Sequence, residues 1–291
     1  MIALFGKTVH QRNVNHIVFL FETLRKNKLQ FCIEEKYANI LKETYKLQIE
    51  EPTFSNYQDI KSDTEMLISL GGDGTILEAI TFIKEAETPI LGINFGRLGF
   101  LANVSVEQIE QAIEIVAKGK YIIDKRTIIE INSNNKLFGN VPYALNEMTL
   151  QRKDQSSMIT IKTFLNGELL NSYWADGLII STPTGSTGYS LSCGGPILYP
   201  TSNNFVITPV APHNLNVRPI VVSDDVILSF EVSGRENSFL CTLDSRFETI
   251  DSSFQIALKK APFKANLVRL TDMNFIIALK TKLNWGSDQR N

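Results

Sequence analysis

Clustered metal ligands, a basic stretch, a membrane-length apolar run and a secretion leader are all missing from this chain of 291 residues, and each absence closes a class of function. Cys32, Cys193 and Cys241 are odd in number and widely spaced, and His10, His16 and His213 do not join them in a zinc-type spacing. A reducing compartment and no structural metal are expected. No run of 18 apolar residues occurs, and the opening MIALFGKTVHQR lacks a basic region followed by an apolar stretch and a small-residue cleavage site. The expectation is a cytoplasmic protein with no membrane partner. A formal charge of −2, without any Lys/Arg run, argues against nucleic acid as a partner and leaves small-molecule chemistry. Familiar nucleotide signatures are missing as well. Gly92, Gly96 and Gly99 do not have the spacing of the dinucleotide fingerprint, and no glycine-rich loop ends in Gly-Lys-Ser/Thr. No Gly-x-Ser-x-Gly elbow can be aligned on residues 185–192, which excludes a serine hydrolase of that type.

What is present begins with a large apolar fraction, 43% of residues, enough to bury a full core in one large or two medium domains. Up to about residue 120, apolar strand-like runs (2–5, 30–33, 66–70, 89–94) alternate with amphipathic stretches (15–26, 37–45, 76–83, 105–118), the pattern of parallel β/α layers. Ser105 followed by Gln108 makes a capping box for the last of these helices. Residues 50–61 show no period and read as a loop. From about 121 the chain turns to strands: 122–131, 143–150, 158–165, 177–181, 205–210, 226–232 and 239–243, with Asn166-Gly167 as a hairpin signal. The fold class is therefore an α/β N-terminal domain with a parallel sheet plus a β-rich C-terminal domain (α+β). The expected boundaries are 1–120, 121–270 and a C-terminal segment, 271–291, that packs back on the first domain through a helix at 276–285 anchored by Trp285.

Three stretches carry chemistry. In EMLISLGGDGTILE, residues 65–78, a buried strand runs through Gly71-Gly72-Asp73-Gly74-Thr75 into a helix. Its glycines and free N–H groups suit a phosphate. Asp73 is then either a cap of that helix or a group that does chemistry or holds a metal. In DGLIISTPTGSTGYSLSCGGP, residues 176–196, a strand enters a loop dense in hydroxyls, with Tyr189 as an aromatic wall, suited to a polar ligand. Asn146-Glu147 at a strand end offers an amide and a carboxylate to an exocyclic amine, a ring nitrogen or ribose hydroxyls.

Taken in order and spacing, GGDGT at 71–75, GINFGRLGFLA at 92–102, NE at 146–147, the 176–196 block and APHNLNVRPIVV at 211–222 resemble the NAD kinase family. GGDGT alone is shared with diacylglycerol and sphingosine kinases. The resemblance implies transfer of the terminal phosphoryl group of ATP, or of another donor such as polyphosphate, to the 2′-hydroxyl of the adenosine ribose of NAD, giving NADP. It also implies a divalent metal ion (Mg²⁺ or Mn²⁺) carried by the donor, a two-domain fold and a homodimer or homotetramer. Residue by residue, Asp73 matches the proton acceptor and, with Gly74, an NAD contact. Asn146 and Glu147 match the nucleoside pair. Asp176, Thr187, Gly188, Tyr189, Ser190, Leu191 and Ser192 match the NAD-binding loop, and Ala211 and Arg246 match further contact positions. Gly188 stands where alanine is usual, Asp244-Ser245-Arg246 where Asp-Gly-Gln is frequent, and Trp174 at a position that varies between basic and small residues. Two competing readings are a lipid kinase built on the same glycine turn and a non-catalytic NAD(P) sensor. The hydroxyl-rich loop speaks against the first and Asp73 against the second.

Overall fold

The computed structural model describes residues 1–60, 63–96, 99–153, 157–270 and 275–283. Lys61, Arg97, Leu98 and Trp285, each part of a stretch read above, lie outside the described residues. The chain separates into two compact units, Met1–Lys125 together with the described residues from Ala265 on, and Arg126–Lys264.

In the first unit, β1 (Ile2–Gly6), β2 (Phe31–Glu34), β3 (Thr53–Phe54), β4 (Met66–Leu70), β5 (Ile90–Asn94) and β6 (Val104–Ser105) all pair in parallel, in the order β3-β2-β1-β4-β5-β6. Every residue of β1, β4 and β5 is buried, which is why these strands read as unbroken apolar runs and not as alternation. Helices α1 (Val14–Lys26), α2 (Glu35–Tyr45), α3 (Asp73–Ile83) and α4 (Ile109–Ala117) connect them. In α1, Val14, Ile17, Leu20, Phe21 and Leu24 bury one stripe. Ahead of α4, Gln108 Oε1 accepts from the Ser105 N–H at 3.1 Å as the capping box requires, although residues 106–108 form a tighter 3₁₀ turn first. From β1 the chain moves outward to β2 and β3, then returns to the other side of β1 with β4. That reversal between β1 and β4 is a topological switch point, where open parallel sheets bind ligands beyond their strand ends. The glycine turn follows β4 there.

The loop expected at 50–61 is partly ordered structure. Thr53 pairs with Ile33, a 3₁₀ turn spans Tyr57–Asp59, and the rings of Phe54 and Tyr57 are buried against Phe82 at 5.8 and 6.2 Å. A two-residue strand is too short to show a period, so the sequence carries no signal for it.

The second unit holds β7 (Ile122–Ser133), which enters it from the first, then β8 (Tyr143–Ala144), β9 (Glu147–Arg152), β10 (Ile159–Leu165), β11 (Glu168–Ala175), β12 (Gly177–Ser181), β13 (Asn204–Val210), β14 (Ile220–Ser223), β15 (Leu228–Ser233), β16 (Phe239–Leu243), β17 (Arg246–Ile250) and β18 (Gln255–Arg269). One antiparallel sheet has the order β14-β13-β12-β9-β16-β17, and a second antiparallel set runs β11-β10-β15-β18 with β7 beside β18. Leu150, Leu178, Phe205 and Cys241 from the first meet Ile161, Tyr173, Phe230 and Leu258 from the second in one buried core. Asn166 (φ +51°) and Gly167 (φ +87°) make the two left-handed residues of a tight hairpin, as expected. In this unit three strands escaped the sequence reading, β14, β17 and β18, as β3 and β6 did in the first. In β18, QIALKKAPFKANLVR, three lysines and Pro262 interrupt the alternation. Its end, from Ala265, belongs to the first unit, where Leu267 pairs with Ile90. The single strand read at 143–150 is two, β8 and β9, parted at Leu145-Asn146. The helix read at 276–285 is present as α5 (Phe275–Leu283), in the first unit.

Candidate functional site

In the first unit the turn between β4 and α3 is only Gly71-Gly72. The Gly71 N–H donates to the Ile93 carbonyl at 3.0 Å, and a β-carbon on Gly71 would overlap Thr75 Oγ1. Gly72 is the cap of α3, so Asp73 is the first helical residue and does not cap its own helix. Its carboxylate reaches across to the segment after β5 instead. Oδ2 accepts from the Phe100 N–H at 2.8 Å, and Oδ1 accepts from Leu101 at 3.1 Å and Ala102 at 2.9 Å. A β-carbon on Gly99 would overlap Asp73 Oδ1, and one on Gly92 would lie 2.7 Å from Ala102 Cα. The glycines of GINFGRLGFLA thus permit a backbone segment to close on an aspartate. Sequence reasoning missed this contact, and the glycines of that motif were its one trace. Among the described residues Oδ2 carries a single N–H bond, which leaves it capacity for a hydroxyl. Gly74 is exposed, and while the Thr75 N–H donates to the Gly72 carbonyl at 3.0 Å, those of Asp73 and Gly74 face the open N-terminus of α3, where an anion is favoured. From α5, Lys282 Nζ stands 4.8 Å over the Phe100 ring; burial lowers its pKa and Asp73 acts to raise it.

In the second unit a second aspartate does the same work. Asp244, at φ +52°, accepts from the N–H groups of Leu145 (2.9 Å), Asn146 (2.8 Å) and Glu147 (3.2 Å). Those three amides are turned toward Asp244 where β8 and β9 part, which is why the expected strand breaks. Burial raises the Asp244 pKa, while its three N–H bonds and nearby Arg246 pull it down. Burial, and then the charge of Asp244, push Glu147 up to about 8. Arg246 donates to the carbonyls of Val141, at 2.6 Å, and of Tyr143, so its guanidinium holds the chain just before the pair.

The hydroxyl-rich loop spends much of its polarity on itself. Thr182, Ser186 and Ser190 are fully buried. Thr182 donates its N–H to the Asn146 carbonyl at 2.9 Å and its hydroxyl to the Leu145 carbonyl at 2.6 Å. Ser186 Oγ donates to the Pro183 carbonyl, and Ser190 Oγ pairs with Thr208 Oγ1 at 2.8 Å. A β-carbon on Gly185 would overlap the Asn146 carbonyl, so glycine is what seats this loop on the Asn146-Glu147 pair. The ligand-facing surface is therefore narrower than its composition implies: Gly188, Tyr189 and Ser192 are exposed, and Thr187 and Leu191 half-buried. Tyr189 Oη accepts from Gln151 at 2.9 Å. Asp176 meets Arg152 through both oxygens, at 3.1 and 3.2 Å. Ala211, exposed, holds φ +44° in front of Pro212, a strained conformation for a residue with a β-carbon. Trp174 is 51% exposed, and its ring lies tilted against that of His213 with centroids 4.3 Å apart. Cys193 has its pKa raised by burial, in keeping with a packing role.

Comparison with known proteins bears on both units. The family descriptions "ATP-NAD kinase N-terminal domain" and "ATP-NAD kinase C-terminal domain" match residues 2–121 and 145–270. Among curated relatives, a protein named NAD kinase from Flavobacterium psychrophilum is 50% identical over 292 aligned positions, covering 100% of this chain and 99% of that protein. Another of the same name from Cytophaga hutchinsonii is 46% identical, covering 100% of both. Among solved structures, yeast NADH kinase complexed with NADH superposes with a TM-score of 0.87 at 23% identity, covering 99% of this chain and 88% of that one. An NAD kinase from Archaeoglobus fulgidus in complex with ATP gives 0.74 at 23% identity, over 97% of this chain and 98% of that one. At such identities these two establish the shared fold.

Proposed function

The chain belongs to the NAD kinase family and is a phosphotransferase that makes NADP from NAD and ATP, and from that premise we propose how its own residues divide the work. Full-length identity of 50% to a named NAD kinase removes the lipid-kinase reading. The 2′-hydroxyl oxygen of the adenosine ribose forms a bond to the terminal phosphorus of the donor, the bond from that phosphorus to the bridging oxygen breaks, and ADP leaves. The hydroxyl proton passes to Asp73 Oδ2. The observation that supports this role is that, among the described residues, Oδ2 accepts one N–H bond, while Oδ1 fixes the carboxylate with two. Phosphoryl transfer runs through a loose transition state, so orientation and charge neutralisation outweigh base strength. The N–H groups of Gly72, Asp73 and Gly74, at the N-terminus of α3, meet the donor's phosphates.

Asn146 and Glu147 hold the nucleoside, with Asp176, Thr187, Gly188, Tyr189, Leu191, Ser192 and Ala211 as further contacts. Ser190 and Arg246 act behind them: the Ser190 hydroxyl is spent on Thr208 and the guanidinium on two carbonyls. The divalent cation enters as part of the donor. Among the described residues no three His, Cys, Asp or Glu side chains come together to hold a metal. The protein works in the cytoplasm as a homo-oligomer. Among the described residues no helix is long and apolar enough to cross a membrane. The test is steady-state NADP formation by purified protein with Mg²⁺, comparing ATP with polyphosphate and NAD with NADH. Binding of NAD without NADP formation from either donor would mark a sensor and sink the assignment.

A further inference from the structure

Two carboxylic acids share one enclosed corner of the second unit, and their hydrogen bonds are unequal. Asp244 accepts three backbone N–H groups, one of them from Glu147 itself, and Arg246 favours its charge from nearby. Glu147 Oε2 is buried and, among the described residues, has no hydrogen-bond partner. It lies under the exposed Gly188, whose β-carbon position is 3.5 Å away, at the start of the helical turn Tyr189–Ser192. Asp244 is the charged group acting on Glu147, and the Arg246 guanidinium is committed to the carbonyls of Val141 and Tyr143. Two neighbouring buried carboxyls do not both ionise readily, and the one with three donors keeps the charge.

We propose that this pair holds one proton, that Glu147 carries it, and that Glu147 therefore meets the nucleoside as a hydrogen-bond donor, with Asp244 as the positioning residue that sets both the turn and the proton. The inference rests on the reading of Asn146-Glu147 as the nucleoside pair. It adds that the atom Glu147 touches is an acceptor, a ring nitrogen or a ribose oxygen, because an O–H group donates where a carboxylate only accepts. The rise of Glu147 to about 8 agrees with this, since it leaves the acid form dominant at neutral pH.

The experiment is the KM for NAD, at saturating ATP and Mg²⁺, measured from about pH 6.5 to 9.5. In the wild type KM stays low at neutral pH and climbs about tenfold for each unit above the pKa of Glu147. Glu147→Gln keeps a donor and never ionises, so its KM, raised roughly threefold at neutral pH, is flat across the range. Glu147→Ala raises KM by about 30-fold or more. Asp244→Asn removes the neighbouring charge, so the wild-type rise moves to lower pH. If that variant does not fold, the glutamine variant still decides. A wild-type KM that is flat in pH, or a Glu147→Gln profile that rises as the wild type does, overturns the proposal. Failure of the kinase reading is distinguishable, because then no NADP forms at any pH.

Discussion

An aspartate that accepts three backbone N–H groups cannot become asparagine without pointing an N–H donor at other donors. Asp73 is such a residue, so Asp73→Asn acts twice. Loss of the proton acceptor lowers kcat by about 10²- to 10⁴-fold. Loss of the anchor frees the amides of Phe100, Leu101 and Ala102, which are held at 2.8 to 3.1 Å, and their hydrogen exchange quickens. Faster exchange with near-normal kcat would leave Asp73 an anchor alone. Glu147 bears on stability through its proton. Its folded pKa lies above the ordinary value of 4.5, so the folded state binds the proton more tightly than the unfolded chain. The stability this confers is full below 4.5 and is lost as pH rises through about 8. Thermal denaturation of the ligand-free protein should show Tm falling between about pH 6 and 9 by several degrees more than in Glu147→Gln. Parallel Tm curves for the two proteins would contradict it.

At the scale of elements, what the sequence made legible is what repeats within one segment. The buried runs of β1, β4 and β5, the stripe of α1 and the Asn166-Gly167 hairpin all show in a window of a few residues. β18 does not, because lysines and Pro262 break its alternation, and two of those lysines serve distant partners, Lys259 pairing with Glu130 and Lys260 with Asp224. The two aspartate clamps were invisible for the same reason: Asp73 reaches Ala102 across 29 positions and Asp244 reaches Asn146 across 98. Composition also overstated the 182–192 loop as a ligand surface, since hydroxyls that satisfy a turn and hydroxyls that face solvent look alike in sequence. What the loop requires is Gly185, packed against the Asn146 carbonyl. Gly185→Ala is expected to cost about 1–3 kcal/mol in stability, because backbone cannot yield as a side-chain tip can. It should also raise KM for NAD while leaving KM for ATP within about threefold. Chemical denaturation with both titrations checks this, and an equal rise in the two KM values would detach Gly185 from the nucleoside pair.

For the whole molecule, the distribution of exposed apolar side chains bears on assembly. In the second unit Leu215 is 85% exposed, Phe247 69%, Leu169 59%, Tyr199 56% and Trp174 51%, whereas the most exposed large apolar residues described in the first unit reach only 48%. Single exposed apolar residues are ordinary, but so many on one unit favour burial in a further copy of the chain, as a homo-oligomer requires. A stable interface needs about 800 Å² from each partner, and large apolar and aromatic side chains supply such area at low entropy cost. Sedimentation velocity of the purified protein should therefore give a dimer or tetramer of the 32.7 kDa chain, and Leu215→Asp with Phe247→Asp should shift it toward monomer by placing unpaired charge in the contact. Because neither residue belongs to the nucleoside turn, the dissociated double variant tells whether one chain suffices. Activity that survives dissociation assigns the whole catalytic apparatus to a single copy, and activity that falls with the oligomer means that a second copy completes it. A wild type that sediments at 32.7 kDa at all concentrations would remove assembly as the reason for these exposed side chains.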